Sequence, residues 1–396
     1  MDSRINARRH LHKAVMLGSF AFGFMAFILP VYTKEIGGNA VSIGGLFSIF
    51  SIVTLILRPL IGKGIDKYGR KIFLIIAFIT YGLSMILFSL STDISLLYIS
   101  RFVQAIASSF MWISVYSVAI DLANRKERGS QIGYIGQASS QGELYGAFLG
   151  FFIIGNLNFL TGWSVLFKIY AVLAFIGAYI IYKQIPETKV LVEEQTITKK
   201  KLSKKYKQLL VIVFISAVSV SMLSPIYIVY LIDRFTNDLA LLALCFIPSA
   251  LVYSYLQNRL GAVSDKIGRT KPIALGLVLS GVLSISLTMV SNLYLVAILW
   301  TIVAIGISMS SPAETALVAD MTGDNIRGSA YGYYTMVGSL GASIGPIIGG
   351  LLYEYLGQTI PFYVNGALLI INAIIVIIVL RNYKSDQSSV TTQKAI

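Results

Sequence analysis

Twelve apolar runs, each long enough to cross a bilayer, follow one another along this chain of 396 residues. A helix needs about 20 apolar residues to cross a hydrocarbon core of about 30 Å. Lipid offers the backbone no hydrogen-bond partner, so such runs form helices, whereas strands of a membrane barrel would be about half as long. The sequence therefore predicts an all-α integral membrane protein with twelve transmembrane helices. The predicted spans cover residues 15–32, 43–61, 72–90, 96–120, 131–154, 163–181, 209–232, 239–256, 273–290, 293–318, 330–353 and 361–380.

Charged residues are few and unevenly placed. They make up 13% of the chain, against about 25% in soluble domains. Of the 32 Lys and Arg, 27 lie in the terminal segments and the even-numbered loops, while the odd-numbered loops hold only Lys34 and Arg234. This asymmetry predicts a multi-pass protein of the cell membrane with cytoplasmic N- and C-termini. The formal charge of +14 is then expected to anchor topology at the lipid surface, and no nucleic-acid partner is expected.

A charged phrase occurs twice, 199 residues apart, at Gly62–Lys71 and again at Gly261–Arg269. The same offset relates further residues downstream, although the first and seventh spans keep it poorly, which predicts a length difference in the first outer loop. Such self-similarity indicates two homologous halves related by a pseudo-two-fold axis along the membrane normal. The downstream matches are Asp121 with Asp320, Arg128 with Arg327, and Gly142, Gly146 and Gly150 with Gly341, Gly345 and Gly349.

The longest polar stretch separates six spans from six. It covers residues 186–207 and contains three consecutive lysines. We therefore expect an N-terminal six-helix bundle at residues 1–185, a cytoplasmic linker at 186–207, a C-terminal six-helix bundle at 208–383 and a cytoplasmic tail at 384–396.

Three motifs resemble those of the major facilitator superfamily. The phrase Gly62-x-x-x-Asp66-Lys67-x-Gly69-Arg70-Lys71 resembles its motif A, and the repeat in the second half is typical of it. Arg101-x-x-Gln104 resembles motif B, although Ala105 stands where the family prefers glycine. Gly338-x-x-Gly341-x-x-x-Gly345-Pro346-x-x-Gly349-Gly350 resembles motif C. The resemblance spans residues 13–382 and implies a transporter that works by alternating access.

Within that superfamily the chain is most similar to the twelve-helix drug–proton antiporters. These antiporters carry motif C in the fifth span, where this chain has Ala147 and Phe151 in place of proline and glycine. The degraded motif weakens the assignment to antiporters.

The resemblance implies a cytoplasmic gate built from the repeated charges. Asp66 would cap the positive N-terminus of the eleventh span, and Arg70 would pair with Asp121. Such pairs would stabilise the outward-facing state and break when the halves rock. The alternative is that these charges are solvated loop residues that anchor topology. The remaining gate residues are Arg128, Asp265, Arg269, Asp320 and Arg327.

Two glycine stripes predict close helix packing. Gly142, Gly146 and Gly150 recur every four residues on the fifth span, and small residues let transmembrane backbones approach. Gly341, Gly345 and Gly349 do the same on the eleventh span, with Pro346 bending it, and Gly62 is assigned to packing near the end of the second. The resemblance implies that the fifth span meets the eighth and that the eleventh meets the second.

Three charged residues inside the spans are costly in lipid and therefore point to function. Glu143 lies near the middle of the fifth span, and Ala342 stands opposite it in the second half. Burial favours the protonated form of a carboxyl group, so we hypothesise that Glu143 carries a coupling proton. A structural glutamate, protonated or paired, is the alternative.

Arg101, with Gln104, lies in a span that lines the cavity by resemblance, where it would tune proton affinity or bind substrate. It could also pair with Glu143, and the sequence leaves this open. Glu314 is a second carboxylate candidate, unless it is a helix-end acid paired with Arg327 or linker lysines.

Two transport functions remain open. The glycine motif, motif B and 44 Phe plus Tyr residues favour proton-coupled efflux of apolar or amphipathic small molecules. The alternative is an uptake symporter or uniporter for a neutral polar solute such as a sugar or metabolite. The first and seventh spans carry no basic residue, which argues against organophosphate exchange.

No sequence motif points to enzyme chemistry. We find no metal-ligand spacing, no nucleophile motif and no phosphate-binding loop. Cys245 is the single cysteine, so an intramolecular disulfide is impossible. We therefore expect no catalytic residue, no metal and no cofactor beyond a proton gradient. The expected partners are a small-molecule substrate, protons and the lipid bilayer, and we expect a monomer.

Overall fold

The computed structural model describes residues 2–123, 127–188, 203–321 and 327–380. Within these ranges the side chains of residues 2–3, 63, 66, 128–129, 253–266, 319 and 327–329 lie outside the description. The side chains of four predicted gate residues, Asp66, Arg128, Asp265 and Arg327, are therefore not placed. The predicted tail at 384–396 and most of the predicted linker also fall outside the described residues.

Twelve helices make up the described chain, which confirms the predicted all-α architecture. The first, α1, has two segments, Asp2–Gly18 and Phe20–Glu35, separated by Ser19 alone. A π-helical turn, Leu352–Leu356, extends α11. The other helices are α2 (Ala40–Tyr68), α3 (Arg70–Leu90), α4 (Ile94–Leu122), α5 (Arg128–Asn156), α6 (Phe159–Gln184), α7 (Lys204–Arg234), α8 (Leu239–Ile267), α9 (Thr270–Leu287), α10 (Leu293–Asp320), α11 (Arg327–Leu351) and α12 (Ile360–Leu380).

Local chemistry fixes several helix ends in both halves. The Asn39 side chain accepts a hydrogen bond from the Ser42 backbone at the start of α2. Asp238, 199 residues later, accepts from two backbone N–H groups at the start of α8. Such caps satisfy donors that the helix itself leaves open.

The turns α2–α3 and α8–α9 both depend on a glycine of the repeated phrase. Gly69 has φ of +101° and Gly268 has φ of +85°. Glycine alone adopts such angles without steric cost. The backbone therefore explains why both copies of the phrase carry glycine there.

Ten helical stretches among the described residues are long and apolar enough to cross a membrane, and Leu239–Val252 is a shorter apolar helix. The helix α5 is not among the ten. It carries Gln131, Gln137, Gln141 and Glu143 along its length. A helix this polar is stable in a bilayer only where protein or water covers these groups.

The chain divides into two compact units, Met1–Ile197 and Thr198–Ile396, and the division falls within the predicted linker. In the N-terminal unit, α2 packs on α4, α3 packs on α4 and α6, and α1 packs on α5 and α6. In the C-terminal unit, α8 packs on α10, α9 packs on α10 and α12, and α7 packs on α11 and α12. Adding six to each helix number converts the first set of pairs into the second, so each unit repeats one packing scheme.

Both glycine stripes pack inside their own unit. A Cβ on Gly142 would meet the Met16 carbonyl oxygen of α1, and a Cβ on Gly146 would meet that of Phe20. On α11, Gly345 and Gly349 face Val218 and Met222 of α7 in the same way. The side of each stripe that the missing Cβ would occupy is therefore covered by the first helix of its own unit.

These contacts also define the register of the two halves. Phe214, Val218 and Met222 of α7 face Gly341, Gly345 and Gly349, and they lie 198 residues after Met16, Phe20 and Phe24. The loops α1–α2 and α7–α8 have the same length, so the predicted length difference does not lie in the outer loop. It lies within α7, between Met222 and Arg234.

Candidate functional site

Arg101 holds a buried positive charge among neutral groups. Its Nε donates to the Leu46 carbonyl oxygen at 3.2 Å, and one terminal nitrogen donates to Gln104 Oε1 at 2.5 Å. Its guanidinium carbon lies 4.4 Å from the Phe50 ring centroid and 5.1 Å from that of Phe47. Arg101 and Gln104 are three positions apart on α4 and so share a helix face. The motif predicted from the sequence is thus a hydrogen-bonded pair, supported by α2.

Glu143 lies partly buried on α5, against α1. Its Oε1 accepts a 2.8 Å hydrogen bond from Ser139 Oγ, one turn earlier. A Cβ on Gly23 of α1 would lie 3.0 Å from Glu143 Cβ, so the two helices approach closely here. No ion pair joins Glu143 to Arg101 or to any other cationic side chain that the structure describes. The carboxyl group therefore has a neutral partner, and the direct Arg101–Glu143 pair left open by the sequence is not formed.

Sequence reasoning missed Tyr81 on α3, a buried polar residue in the same unit as Arg101 and Glu143. Its side chain is 1% exposed, and its hydroxyl has no hydrogen-bond partner among the described residues. The hydroxyl lies within electrostatic range of Gln104, Arg101 and Glu143. The only signal in the sequence is one tyrosine among the apolar residues of α3. We call Tyr81, Arg101, Gln104 and Glu143 the polar cluster.

Glu314, the second carboxylate candidate, lies in the other unit on α10. Its Oε1 accepts a 2.9 Å hydrogen bond from the Tyr334 hydroxyl of α11. The alternative partner predicted from the sequence, Arg327, has its side chain outside the described residues. Glu314 thus also has a neutral hydroxyl partner, as Glu143 does.

The repeated charges form two matching ion pairs. Arg70 Nε lies 2.6 Å from Asp121 Oδ2, and Arg269 Nε lies 3.2 Å from Asp320 Oδ2. All four side chains are largely shielded from solvent, at 9–22% exposure. Each pair joins the start of the third helix of its unit to the end of the fourth. The Arg70–Asp121 pairing implied by the resemblance is present, and so is its repeat 199 residues later.

Glu187, just beyond α6, binds the start of α3 beside Arg70. Sequence reasoning missed it because it lies at the start of the stretch interpreted as a linker. Its carboxylate accepts hydrogen bonds from the backbone N–H groups of Arg70 at 2.8 Å and Lys71 at 3.2 Å. A carboxylate here satisfies open donors and complements the helix dipole of α3. The next residue, Thr188, donates to Asp121 Oδ2 at 3.0 Å. Glu187 and Thr188 therefore hydrogen-bond the chain after α6 to both members of the Arg70–Asp121 pair.

Comparison with known proteins decides the family. The family model described as Major Facilitator Superfamily matches residues 14–211 and 209–395. The chain belongs to the major facilitator superfamily. This superfamily member is therefore a multi-pass membrane transporter for a small-molecule substrate.

Similar curated proteins carry drug-resistance names. Multidrug resistance protein 2 of Bacillus subtilis (strain 168) is 25% identical over 370 residues, covering 90% of this chain and 91% of the relative. Quinolone resistance protein NorA of Staphylococcus aureus (strain MSSA476) is 22% identical over 379 residues, covering 93% and 95%.

Solved structures share the fold at lower identity. A bacterial homologue of the human lysosomal transporter Spinster, in an inward-facing and occupied conformation, superposes with a TM-score of 0.80 at 15% identity. That match covers 97% of this superfamily member and 98% of the homologue. The human organic anion transporter MFSD10 (TETRAN) gives 0.66 at 15% identity, covering 94% and 99%.

Proposed function

We propose that this superfamily member exports apolar or amphipathic small molecules from the cytoplasm in exchange for protons, by alternating access in the cell membrane. Glu143 carries the coupling proton, and Glu314 is the second candidate for that role. The observation that carries the proposal is the partner of Glu143, a serine hydroxyl rather than a cation. A carboxyl group held in a salt bridge stays ionised, whereas one bonded to a hydroxyl can gain and lose a proton during a transport cycle. The names of the drug-resistance relatives support export.

Aromatic side chains support the proposed substrate class. In the N-terminal unit the ring centroid of Trp112 lies 5.9 Å from that of Phe22 and 5.7 Å from that of Tyr116. In the C-terminal unit Trp300 stacks on Tyr227 at 4.3 Å. Such rings offer large apolar surfaces with little directional demand, which suits weakly specified ligands.

The two shielded ion pairs are proposed to stabilise one conformation of the transport cycle. Breaking a partly shielded, hydrogen-bonded pair costs more than breaking an exposed one, so each pair can contribute to a barrier between states. In this proposal both termini are cytoplasmic and the pairs lie at the cytoplasmic gate. The full gate set is Asp66, Arg70, Asp121, Arg128, Asp265, Arg269, Asp320 and Arg327.

Uptake of a neutral polar solute is the second candidate. Gln137 and Ser140 are exposed on the surface of the N-terminal unit and lie one turn apart on α5. Amide and hydroxyl groups at helical spacing can bind a hydroxylated solute. In this case Glu143 would still carry a proton, but in the same direction as the solute.

Transport in proteoliposomes under an imposed pH gradient tests the proposal. A lipophilic cationic dye serves as the export probe and a neutral sugar mixture as the uptake probe. Proton flux opposite to dye flux supports export, and proton flux together with sugar supports uptake. Transport that does not respond to the pH gradient would contradict both candidates.

Proton-driven transport by the Glu143→Gln variant tests whether Glu143 carries the proton. It should abolish proton-driven transport while the protein remains folded, because glutamine keeps the shape but cannot ionise. Glu35→Gln, an exposed acid at the end of α1, is the matched control and should transport normally. If Glu143→Gln stays coupled and Glu314→Gln does not, the proton belongs to Glu314.

A further inference from the structure

Arg8, near the start of α1, binds the far end of α4. Its Nε and Nη2 both donate to the Leu122 carbonyl oxygen, at 3.0 and 2.7 Å. Its Nη1 donates to Glu127 Oε2 at 3.0 Å, which forms an ion pair. The Arg8 side chain is 21% exposed, so most of its surface is covered. One side chain therefore joins α1 to the last residue of α4 and to the residue that precedes α5.

The end of α4 favours a cationic partner. Leu122 is the last residue of the helix, so its carbonyl oxygen has no N–H group of α4 to bind. The negative end of the helix dipole also lies there, and a positive charge is favourable at this place. A guanidinium group meets both requirements, because its planar fork can donate twice to the carbonyl oxygen and still reach a carboxylate.

Asp121 makes a positive charge at this helix end more important. A negative side chain in the last turn of a helix lies beside the negative end of the dipole, which disfavours it. Arg70 compensates Asp121 from α3, with 2.6 Å between Nε and Oδ2. Arg8 binds the backbone of the next residue, Leu122, from α1. The turn that carries the carboxylate is therefore held from two other helices.

The C-terminal unit has no arginine at the equivalent position. With the offset of 198 that relates α1 to α7, Arg8 corresponds to Tyr206. The Tyr206 hydroxyl donates to the Ala330 carbonyl oxygen of α11 at 2.7 Å. The ion pair of that unit is the longer and more exposed of the two, at 3.2 Å against 2.6 Å. The packing scheme that both units share therefore does not require Arg8.

We propose that Arg8 is a positioning residue of the cytoplasmic gate. By binding the end of α4 it holds Asp121 where Arg70 pairs with it, and it thereby stabilises the state in which that pair is formed. The repeated charged phrase does not include Arg8, which lies in the N-terminal segment. The inference rests on the gate role proposed above for the Arg70–Asp121 pair.

Three substitutions separate the contacts of Arg8 from a general loss of charge. Arg8→Met removes the charge and the donors and keeps an unbranched stem. Arg8→Lys keeps a charged donor and should retain part of the effect. Arg9→Met is the matched control, because it removes the same charge from the neighbouring residue, whose side chain is exposed.

Hydrogen exchange in the last turn of α4 tests the contact itself. Arg8→Met should speed exchange at residues 120–123 by about threefold to tenfold, since a cation at a helix C-terminus contributes energy of that order. Arg9→Met should exchange like the parent protein, and Arg8→Lys should lie closer to the parent than Arg8→Met does. Unchanged exchange in Arg8→Met would overturn the inference.

Pulsed EPR between two spin labels measures the gate. The labels are attached to Gln184→Cys at the end of α6 and Lys205→Cys in the first turn of α7, both exposed, with Cys245→Ser removing the native thiol. Arg8→Met should lower the ratio of short to long distances by about threefold or more, in the same direction as Asp121→Asn. The double variant should shift no further than Asp121→Asn alone, because Arg8 acts through Asp121.

The two measurements separate this inference from the gate role on which it rests. Additive shifts in the double variant would overturn the positioning role, and so would an unchanged ratio in Arg8→Met beside a shifted one in Asp121→Asn. If Asp121→Asn leaves the ratio unchanged, the proposed gate role of the pair fails. Hydrogen exchange then still decides whether Arg8 holds the end of α4.

Discussion

Arg101 and Trp300 are 199 residues apart and occupy equivalent positions in the two units. Their side chains are held by different kinds of contact. Arg101 is held by a carbonyl oxygen, an amide and two aromatic rings. Trp300 is held by stacking on Tyr227. The scaffold therefore accepts either a charge or a ring at this position. The helix packing of the repeat alone therefore does not require an arginine at this position.

Arg101→Lys should lower transport about tenfold or more, because lysine lacks the planar fork that reaches Leu46 and Gln104 together while lying on Phe50. Initial transport rates in proteoliposomes measure the effect. Arg58→Lys, at an exposed arginine within an apolar run of α2, is the control and should transport like the parent protein. Equal rates for all three proteins would show that the fork geometry has no role.

The helices were predictable from the sequence, whereas the helix that each glycine stripe packs against was not. Apolar runs gave most helix ends to within five residues, because the length and polarity of a span follow from the local sequence. Three helices extend further: α1 begins at Asp2 rather than at residue 15, α2 ends at Tyr68 rather than at 61, and α8 ends at Ile267 rather than at 256. The face that a glycine stripe presents depends on how helices cross, which no local pattern encodes. For the same reason Tyr81 and Glu187 escaped notice, because each acquires its role only when distant segments meet. The ion pairs were predictable because the repeat marked both partners.

Gly146→Ala should destabilise the N-terminal unit, by about 1–3 kcal/mol in free energy of unfolding. The new Cβ would collide with the Phe20 carbonyl oxygen, and backbone cannot move aside as a side chain can. Gly136→Ala is the control on the same helix, where a Cβ meets nothing within 4 Å. Thermal unfolding of the purified protein reports the difference, and equal melting of the two variants would refute the packing assignment.

Glu187→Ala should loosen the first turn of α3, because two backbone donors lose their acceptor, at a cost of about 1 kcal/mol. Hydrogen exchange at Arg70 and Lys71 should then speed up about fivefold, as that energy implies. Asp93→Ala, which removes the cap of Leu96 at the start of α4, should affect α4 and leave α3 as it was. Unchanged exchange at Arg70 in Glu187→Ala would contradict the capping role.

The contacts of the motifs described above lie within single units of the described chain. The glycine stripes, the ion pairs and the polar cluster all find their described partners within one half of the chain. The comparison with the superfamily accounts for this repeated plan, and the two halves share one set of helix pairs. We therefore expect each half to fold without a continuous chain.

Co-expression of residues 1–197 and 198–396 as separate chains should give a protein that transports substrate. Each piece keeps every helix pair of its unit, so both should accumulate in the membrane. The control is a pair of chains cut between α3 and α4, which separates α2 and α3 from α4, the helix on which both pack. This pair should accumulate poorly in the membrane. Failure of the 197/198 pair to accumulate, with the intact chain expressing well, would count against independent units.

The register of the glycine contacts indicates how the two halves diverged after duplication. The two halves follow an offset of 199 from Asn39 and Asp238 onward, but of 198 up to Phe24 and Met222. A duplicated gene in which one copy gained or lost a single codon leaves this pattern. The change falls between Met222 and Arg234 of α7, beyond the residues that contact the glycine stripe. Equivalent residues of α1 and α7, up to Phe24 and Met222, must therefore be matched with the smaller offset. Matching them with the larger offset would misplace each residue by about 100° around the helix.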